Sequence, residues 1–109
     1  MTKFNFGDVV LICFTQPDSK RKQRPALIIL DIGNDDIVLA PITSKERSGI
    51  GDCKIKDWRG AGLLASSWTR LAKVTCLSKK DISRSLGSLS SDDRKTLASA
   101  WQALYRVVK

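Results

Sequence analysis

Gly7-Asp8-Val9-Val10-Leu11-Ile12-Cys13-Phe14, then Ala26-Leu27-Ile28-Ile29-Leu30, then Ile37-Val38-Leu39-Ala40 are three apolar runs separated by polar segments. Each is short for a helix and rich in β-branched residues, so each reads as a strand. The first, Val9 to Phe14, is apolar at consecutive positions, which predicts a strand covered on both faces and therefore central in its sheet. Thr15 to Gln23 is polar, with Pro17, Asp18 and Ser19 as turn formers, and is expected to be a loop. Pro25 biases Arg24 toward an extended backbone. Gly33-Asn34-Asp35, between the second and third runs, predicts a hairpin. Pro41 has no N–H to give a ladder, so an edge position or a bulge is expected there.

Working outward, residues 45–60 are polar and carry Gly49, Gly51 and Gly60. They are expected to form a mobile loop with a short strand near Cys53 to Lys56. Across Trp68 to Leu77, Ala72, Val74 and Cys76 alternate with Lys73 and Thr75, the period of a half-buried strand. The period then changes. Ser78 stands three residues before Asp81, an S-x-x-D start that predicts a short helix ending by Gly87. Ser90 repeats the pattern with Asp93, and Leu97, Trp101, Leu104, Tyr105 and Val108 follow at spacings of three and four. That stripe predicts an amphipathic C-terminal helix, with Trp101 and Tyr105 as anchors on the sheet. Asp92 and Asp93 at its start, and Arg106 and Lys109 at its end, suit the helix dipole. The 109 residues are expected to form one domain, 1–109, mainly β: an antiparallel sheet or small barrel with helix at the C-terminus.

Composition narrows the function. There is no histidine among the 109 residues. That removes Ser-His-Asp triads, Cys-His dyads and His-ligated zinc at once. Cys13, Cys53 and Cys76 are far apart with no C-x-x-C pair, so neither a metal site nor a disulfide framework is indicated. Cys13 and Cys76 sit in apolar runs and are expected to be buried free thiols, as suits a reducing cytoplasm. No apolar run spans a bilayer, and Lys3 and Asp8 interrupt the N-terminus before a secretory leader could form. Lys plus Arg number 19 against 11 Asp plus Glu, a net charge of +8 that points to a polyanionic partner. The densest basic cluster is Lys20, Arg21, Lys22 and Arg24.

Phe6-Gly7-Asp8-Val9-Val10, the block Phe14 to Ile29 with Arg24-Pro25-Ala26-Leu27 at its heart, and Asp36-Ile37-Val38-Leu39-Ala40-Pro41-Ile42-Thr43-Ser44 together resemble the MazF/PemK (Kid-like) toxins of bacterial toxin–antitoxin modules. Gly62-Leu63-Leu64, Ser67 to Val74 and Leu86 to Ser90 are similar to that family's later blocks, in the same order. The resemblance implies an SH3-like barrel, a homodimer in the cytoplasm, and a sequence-selective endoribonuclease acting on single-stranded RNA without metal or cofactor. It also implies an antitoxin protein whose C-terminal segment occupies the RNA groove, and DNA binding by the toxin–antitoxin complex.

By that resemblance Arg24 matches the family's catalytic arginine and Thr43 its catalytic threonine. Read from the residues alone, Arg24 is an exposed loop charge and Thr43 a strand-end threonine bonded to its own backbone. The chemistry fits the resemblance. RNA cleavage without metal or histidine uses the RNA's own 2′-hydroxyl, and a planar guanidinium fork suits the charge that develops on phosphoryl oxygens. Asp18 and Ser19 lie in the segment that resembles the substrate-contacting loop. Lys20, Arg21, Lys22 and Arg47 are expected to hold the RNA backbone, and Ser44 either to assist at the phosphate or simply to form a turn. Arg70 matches a recurrent arginine and is expected either to bind RNA or to form a structural ion pair. Thr75-Cys76 replaces an Arg-Thr pair of several relatives, and Ala72 a commonly acidic position. Two other readings stay open: a DNA gyrase poison of the sister CcdB type, and a basic barrel that binds RNA without cutting it.

Overall fold

The computed structural model describes residues 3–15 and 17–108. The opening apolar runs form β1 (Asp8–Thr15), β2 (Arg21–Leu30) and β3 (Asp36–Thr43). β1 and β2 pair antiparallel from Val9↔Leu27 to Thr15↔Arg21. The ladder therefore resumes at Arg21, earlier than the expected loop to Gln23 allows. Arg24 stands inside it, opposite Ile12, and not at the mouth of a loop. The next turn follows its Asx chemistry: Gly33 N–H donates to Asp31 Oδ1 at 2.8 Å, and Asp36 N–H to Asn34 Oδ1 at 3.0 Å.

Pro41 lies within β3, opposite Ala26. On its other edge β3 changes partner at this point. Asp36 to Leu39 pair with β6 (Thr75–Ser78), whereas Ile42 and Thr43 pair with β5 (Ser67–Arg70). The proline occupies the interval between the two ladders, where a missing N–H leaves no gap in either. A short β4 (Asp52–Ile55) flanks β5, close to the strand expected at Cys53 to Lys56.

Two expectations for the later chain fail. Trp68 to Leu77 is not one strand. A single 3₁₀ turn, Leu71–Lys73, separates β5 from β6 and carries the chain from one half of β3's edge to the other. The supposed inward positions Ala72 and Cys76 are exposed, and Leu71 is the buried residue. Nor does Ser78 start a helix to Gly87. One 3₁₀ turn, Lys79–Asp81, leads straight into β7 (Ile82–Ser88), which pairs with β1, and the Ser78 side chain caps nothing. Pairing with a strand 70–80 residues upstream, from Ile12↔Ile82 to Asp8↔Ser88, overrides the local signal.

The sheet runs β4-β5-β3-β2-β1-β7, with β6 beside β3. β1 is interior, as its two-sided apolarity predicts. Alternate residues of β2 enter two separate cores: Leu27 and Ile29 join Val9, Ala40, Ile42, Ile55 and Leu71, while Ala26 and Ile28 join Val10, Ile37 and Leu39. The C-terminal helix α1 (Ser91–Val108) closes the first core with Leu97, Trp101 and Leu104. Tyr105, expected as an anchor, is 67% exposed. Cys13 is half-buried rather than buried. Val108 and Lys109 have no described side chain. No helix among the described residues is long and apolar enough to cross a membrane.

Asp93 fixes the start of α1 to the sheet. Its N–H donates to Ser90 Oγ at 3.1 Å, the cap the sequence predicts. Its carboxylate, buried, turns away from the cap and accepts Lys56 N–H at 3.2 Å and Asp57 N–H at 2.8 Å. The segment after β4, expected as loose loop, is thereby tied to the helix.

Candidate nucleic-acid interface

A groove of about 800 Å³ opens where β2 and β3 run out beside β7. Lys22 and Arg24 of β2 line it, with Thr43 at the end of β3 and Ser44, Lys45 and Arg47 just beyond. Arg84 enters from β7, where register sets it opposite Leu11. The β2–β3 ladder ends at Ala26↔Pro41; Arg24 stands two residues before that pair on β2 and Thr43 two residues after it on β3, and both line the groove.

The electrostatics are one-sided. Lys22, Arg24, Lys45, Arg47 and Arg84 line the groove, and among the described residues no aspartate or glutamate does. Among the described residues none of the five has an ion pair. The Thr43 hydroxyl oxygen accepts Lys45 N–H at 3.1 Å, so the backbone bond expected of a strand-end threonine is made. That bond uses a lone pair and leaves the hydroxyl proton to donate elsewhere.

Apolar side chains are interleaved with these cations: Leu11, Pro25, Leu63, Leu64 and Leu86 also line the groove, with Leu11 paired to both Pro25 and Arg84. The turn that carries Leu63 and Leu64 is tightly built. Leu63 N–H donates to the Trp58 carbonyl at 3.0 Å, and Gly62 N–H to the Arg59 carbonyl at 3.0 Å. Gly62 has φ +85°, and a Cβ there would collide with the Leu86 carbonyl oxygen. On the facing strand a Cβ on Gly87 would stand 2.7 Å from the Ala61 carbonyl oxygen. Only glycine allows the turn to rest on β7.

Residues 5–105 match the family described as PemK-like, MazF-like toxin of type II toxin–antitoxin systems. The chain belongs to that family. Its fold is that of solved MazF structures. A MazE–MazF complex from Deinococcus radiodurans is 15% identical with TM-score 0.73, covering 96% of this chain and 97% of that one. The Mycobacterium tuberculosis toxin MazF-mt6 is 20% identical with TM-score 0.70, covering 89% and 96%. A protein named as an endoribonuclease from a mycobacterial species is 16% identical with TM-score 0.71, covering 94% and 91%. No curated protein sequence gives a significant match.

Set on this MazF-like fold, the residues singled out in the sequence divide into three groups. Lys22, Arg24, Thr43, Ser44 and Arg47 meet in the groove. Asp18, Ser19 and Lys20 are exposed on the β1–β2 connection, where Lys20 N–H donates to Asp18 Oδ1 at 3.0 Å, and they do not line the groove. Arg21 lines a separate cleft of about 490 Å³ with Cys13, Gln23, Lys80, Asp81 and Ser83. Arg70 is held by Asp52, Nε to Oδ1 at 3.3 Å, and is absent from the groove lining. Lys45, Arg84 and the groove's leucines are not singled out by the sequence. Arg84 has no local signal, because it reaches the groove only through the pairing of β7 with β1. Burial, and then the Asp52 carboxylate, push the Cys53 thiol up, which keeps it an inert group.

Proposed function

We propose that this MazF-like chain is the toxin of a type II toxin–antitoxin module and a sequence-selective endoribonuclease that cuts single-stranded RNA without a metal ion. The observation that carries the reading is the meeting of Arg24 and Thr43 in a groove with five cations and no acid. The groove lining offers a metal ion no carboxylate, imidazole or thiolate.

The RNA lies with its scissile phosphate between Arg24 and Thr43. The 2′ oxygen attacks phosphorus as its proton passes to solvent, the bond from phosphorus to the 5′ oxygen breaks, and the departing oxygen takes up a proton. The products are a 2′,3′-cyclic phosphate and a 5′-hydroxyl. Negative charge grows on the non-bridging oxygens, and the Arg24 fork meets it with two parallel N–H donors. The Thr43 hydroxyl, anchored by Lys45 N–H, adds a third. A guanidinium carries N–H donors and no acceptor, so Arg24 acts by stabilising charge. The other cations hold flanking phosphates.

The partners follow from the same reading: a second copy of the chain, and an antitoxin whose acidic segment competes for the basic groove. The test uses purified protein and mixed-sequence RNA with a chelator present. Cleavage leaving 5′-hydroxyl and cyclic phosphate ends is expected, and Arg24→Ala lowers kcat roughly 10²–10³-fold, the worth of one lost donor of this kind. Equal cleavage by the two proteins removes Arg24 from the reaction. Products with 5′-phosphates overturn the 2′-hydroxyl mechanism, and DNA breaks that depend on gyrase overturn the nuclease.

A further inference from the structure

Leu64 is 98% exposed, the most exposed large apolar side chain among the described residues. A lone surface leucine needs no explanation. This one has two features that ask for one. First, its carrier is rigid. Leu63 before it is buried, and Ser67 after it is buried with its Oγ donating to the Ala65 carbonyl at 2.8 Å. Gly62 is seated against the β7 backbone. Only Leu64, Ala65 and Ser66 project, on a tip clamped at both ends. Second, the tip faces charge. Leu64 lines the same groove as Arg24 and Arg47.

A single RNA strand has two chemically distinct sides, anionic phosphates and flat apolar base faces. The groove offers a partner to each. Its cations suit phosphates, and the projecting Leu64 would desolvate a phosphate with nothing in return. We propose that Leu64 is a base-contacting, specificity-determining residue. With the phosphates held on the β2–β3 side, the nucleobase beside the scissile bond turns onto Leu64 and covers it. This rests on the nuclease reading above and goes beyond it, since it orients the strand in the groove and names the side chain that sorts its bases. Contact with Leu64 would favour single strands, because a paired base cannot turn outward to meet it.

Two measurements test the inference. In the first, the ends produced from mixed-sequence RNA are sequenced for wild type, Leu64→Ala and Leu64→Met. Leu64→Ala is expected to relax the preference at one position next to the cut and to lower kcat/KM about 10-fold through KM, the size of a lost apolar contact. Leu64→Met, which keeps the apolar reach, restores both. In the second, Leu64→Trp is titrated with a fully 2′-O-methylated oligonucleotide pool that cannot be cut. Stacking of a base quenches emission beyond the quench seen in wild type. If wild type cleaves and Leu64→Ala shows the same preference and KM, or if Leu64→Trp gains no quench, the inference is overturned and the nuclease stands. If wild type neither binds nor cleaves RNA, both fall.

Discussion

Arg24 and Arg70 flank the same end of β3 from opposite sides. Arg24 is on β2, two residues before the last pair of the β2–β3 ladder, and lines the groove with Thr43; Arg70 is on β5, two residues from the Trp68 that pairs with Thr43. Both are arginines on strands beside the same threonine, yet the fold treats them differently. Arg70 meets Asp52 at 3.3 Å and helps join β4 to β5. Arg24 has no anionic partner among the described residues and shares its groove with four more cations. The difference teaches how a protein of net charge +8 divides its cations. Where a carboxylate answers, the charge serves the fold. Where none answers, the charge is held ready for an anion that comes from outside.

The sharpest way to break this contrast is to remove the two arginines in turn. Arg24→Ala is expected to cost roughly 10²–10³ in kcat on single-stranded RNA with the melting curve unchanged, since an exposed, unpaired side chain supports little of the fold. Arg70→Ala is expected to do the reverse. It lowers the denaturation midpoint, because it leaves the covered Asp52 carboxylate, 5% exposed, without its cation at a cost of about 1–3 kcal/mol, and it leaves kcat within about twofold. Loss of turnover in both variants would mean that Arg70 also belongs to the chemistry.

The next effect lies wholly on the structural side. Asp93→Ala deprives Lys56 N–H and Asp57 N–H of their acceptor beneath α1. Losing two part-buried hydrogen bonds to a charged acceptor costs about 2–4 kcal/mol, read as a lower urea midpoint. Activity per folded molecule is expected to hold, because neither residue touches the groove. An unchanged midpoint would show that water replaces the carboxylate.

How far this division could be read from the chain depends on the reach of each signal. β1 to β3 and α1 announce themselves within a few residues, through apolar runs, a turn and the Ser90–Asp93 cap. Residues 71–88 do not. Alternation around Ala72 and the Ser78–Asp81 pattern are local signals, and the pairings of β6 with β3 and β7 with β1 outweigh them. The site follows the same rule. Arg24 and Thr43 stand out through resemblance, and their neighbourhood follows from the β2–β3 hairpin. Arg84 and Leu64 reach the groove only once β7 and the turn seated on it are in place, and no pattern within their own segments carries that information.

Asp31 gives the comparison a pH axis. Its carboxylate accepts Phe4 N–H at 2.8 Å and Gly33 N–H at 2.8 Å, and Lys79 Nζ lies 2.9 Å away. The Phe4 bond, with the Lys79 and Gly33 bonds, outweighs the opposing effect of burial and holds its pKa at about 2, below the ordinary 3.8. The folded state thus keeps Asp31 ionised where the unfolded chain has already bound a proton. Its stabilising contribution is complete above about pH 4 and fades as pH falls toward 2. Asp31→Asn is expected to flatten the stability profile across that window. A profile that stays as steep would assign the acid transition to other carboxylates.

The smallest effect tests the groove most directly. A cation that pairs with an RNA phosphate releases a counterion, and each such contact changes the slope of log K against log salt by about 0.7 for a single strand. Arg47 lines the groove without an ion pair, whereas Arg70 already has its anion. Binding of a 2′-O-methylated strand, measured over a range of salt, should lose about 0.7 from its slope in Arg47→Ala. In Arg70→Ala the slope should be that of wild type, even if affinity at one salt concentration shifts. Affinity alone cannot make this distinction, since a loosened fold and a lost contact both weaken binding. The slope can, because it counts phosphates. If Arg70→Ala flattens it as much as Arg47→Ala, the Asp52 pair opens when RNA binds, and the cations of the two sides form one surface.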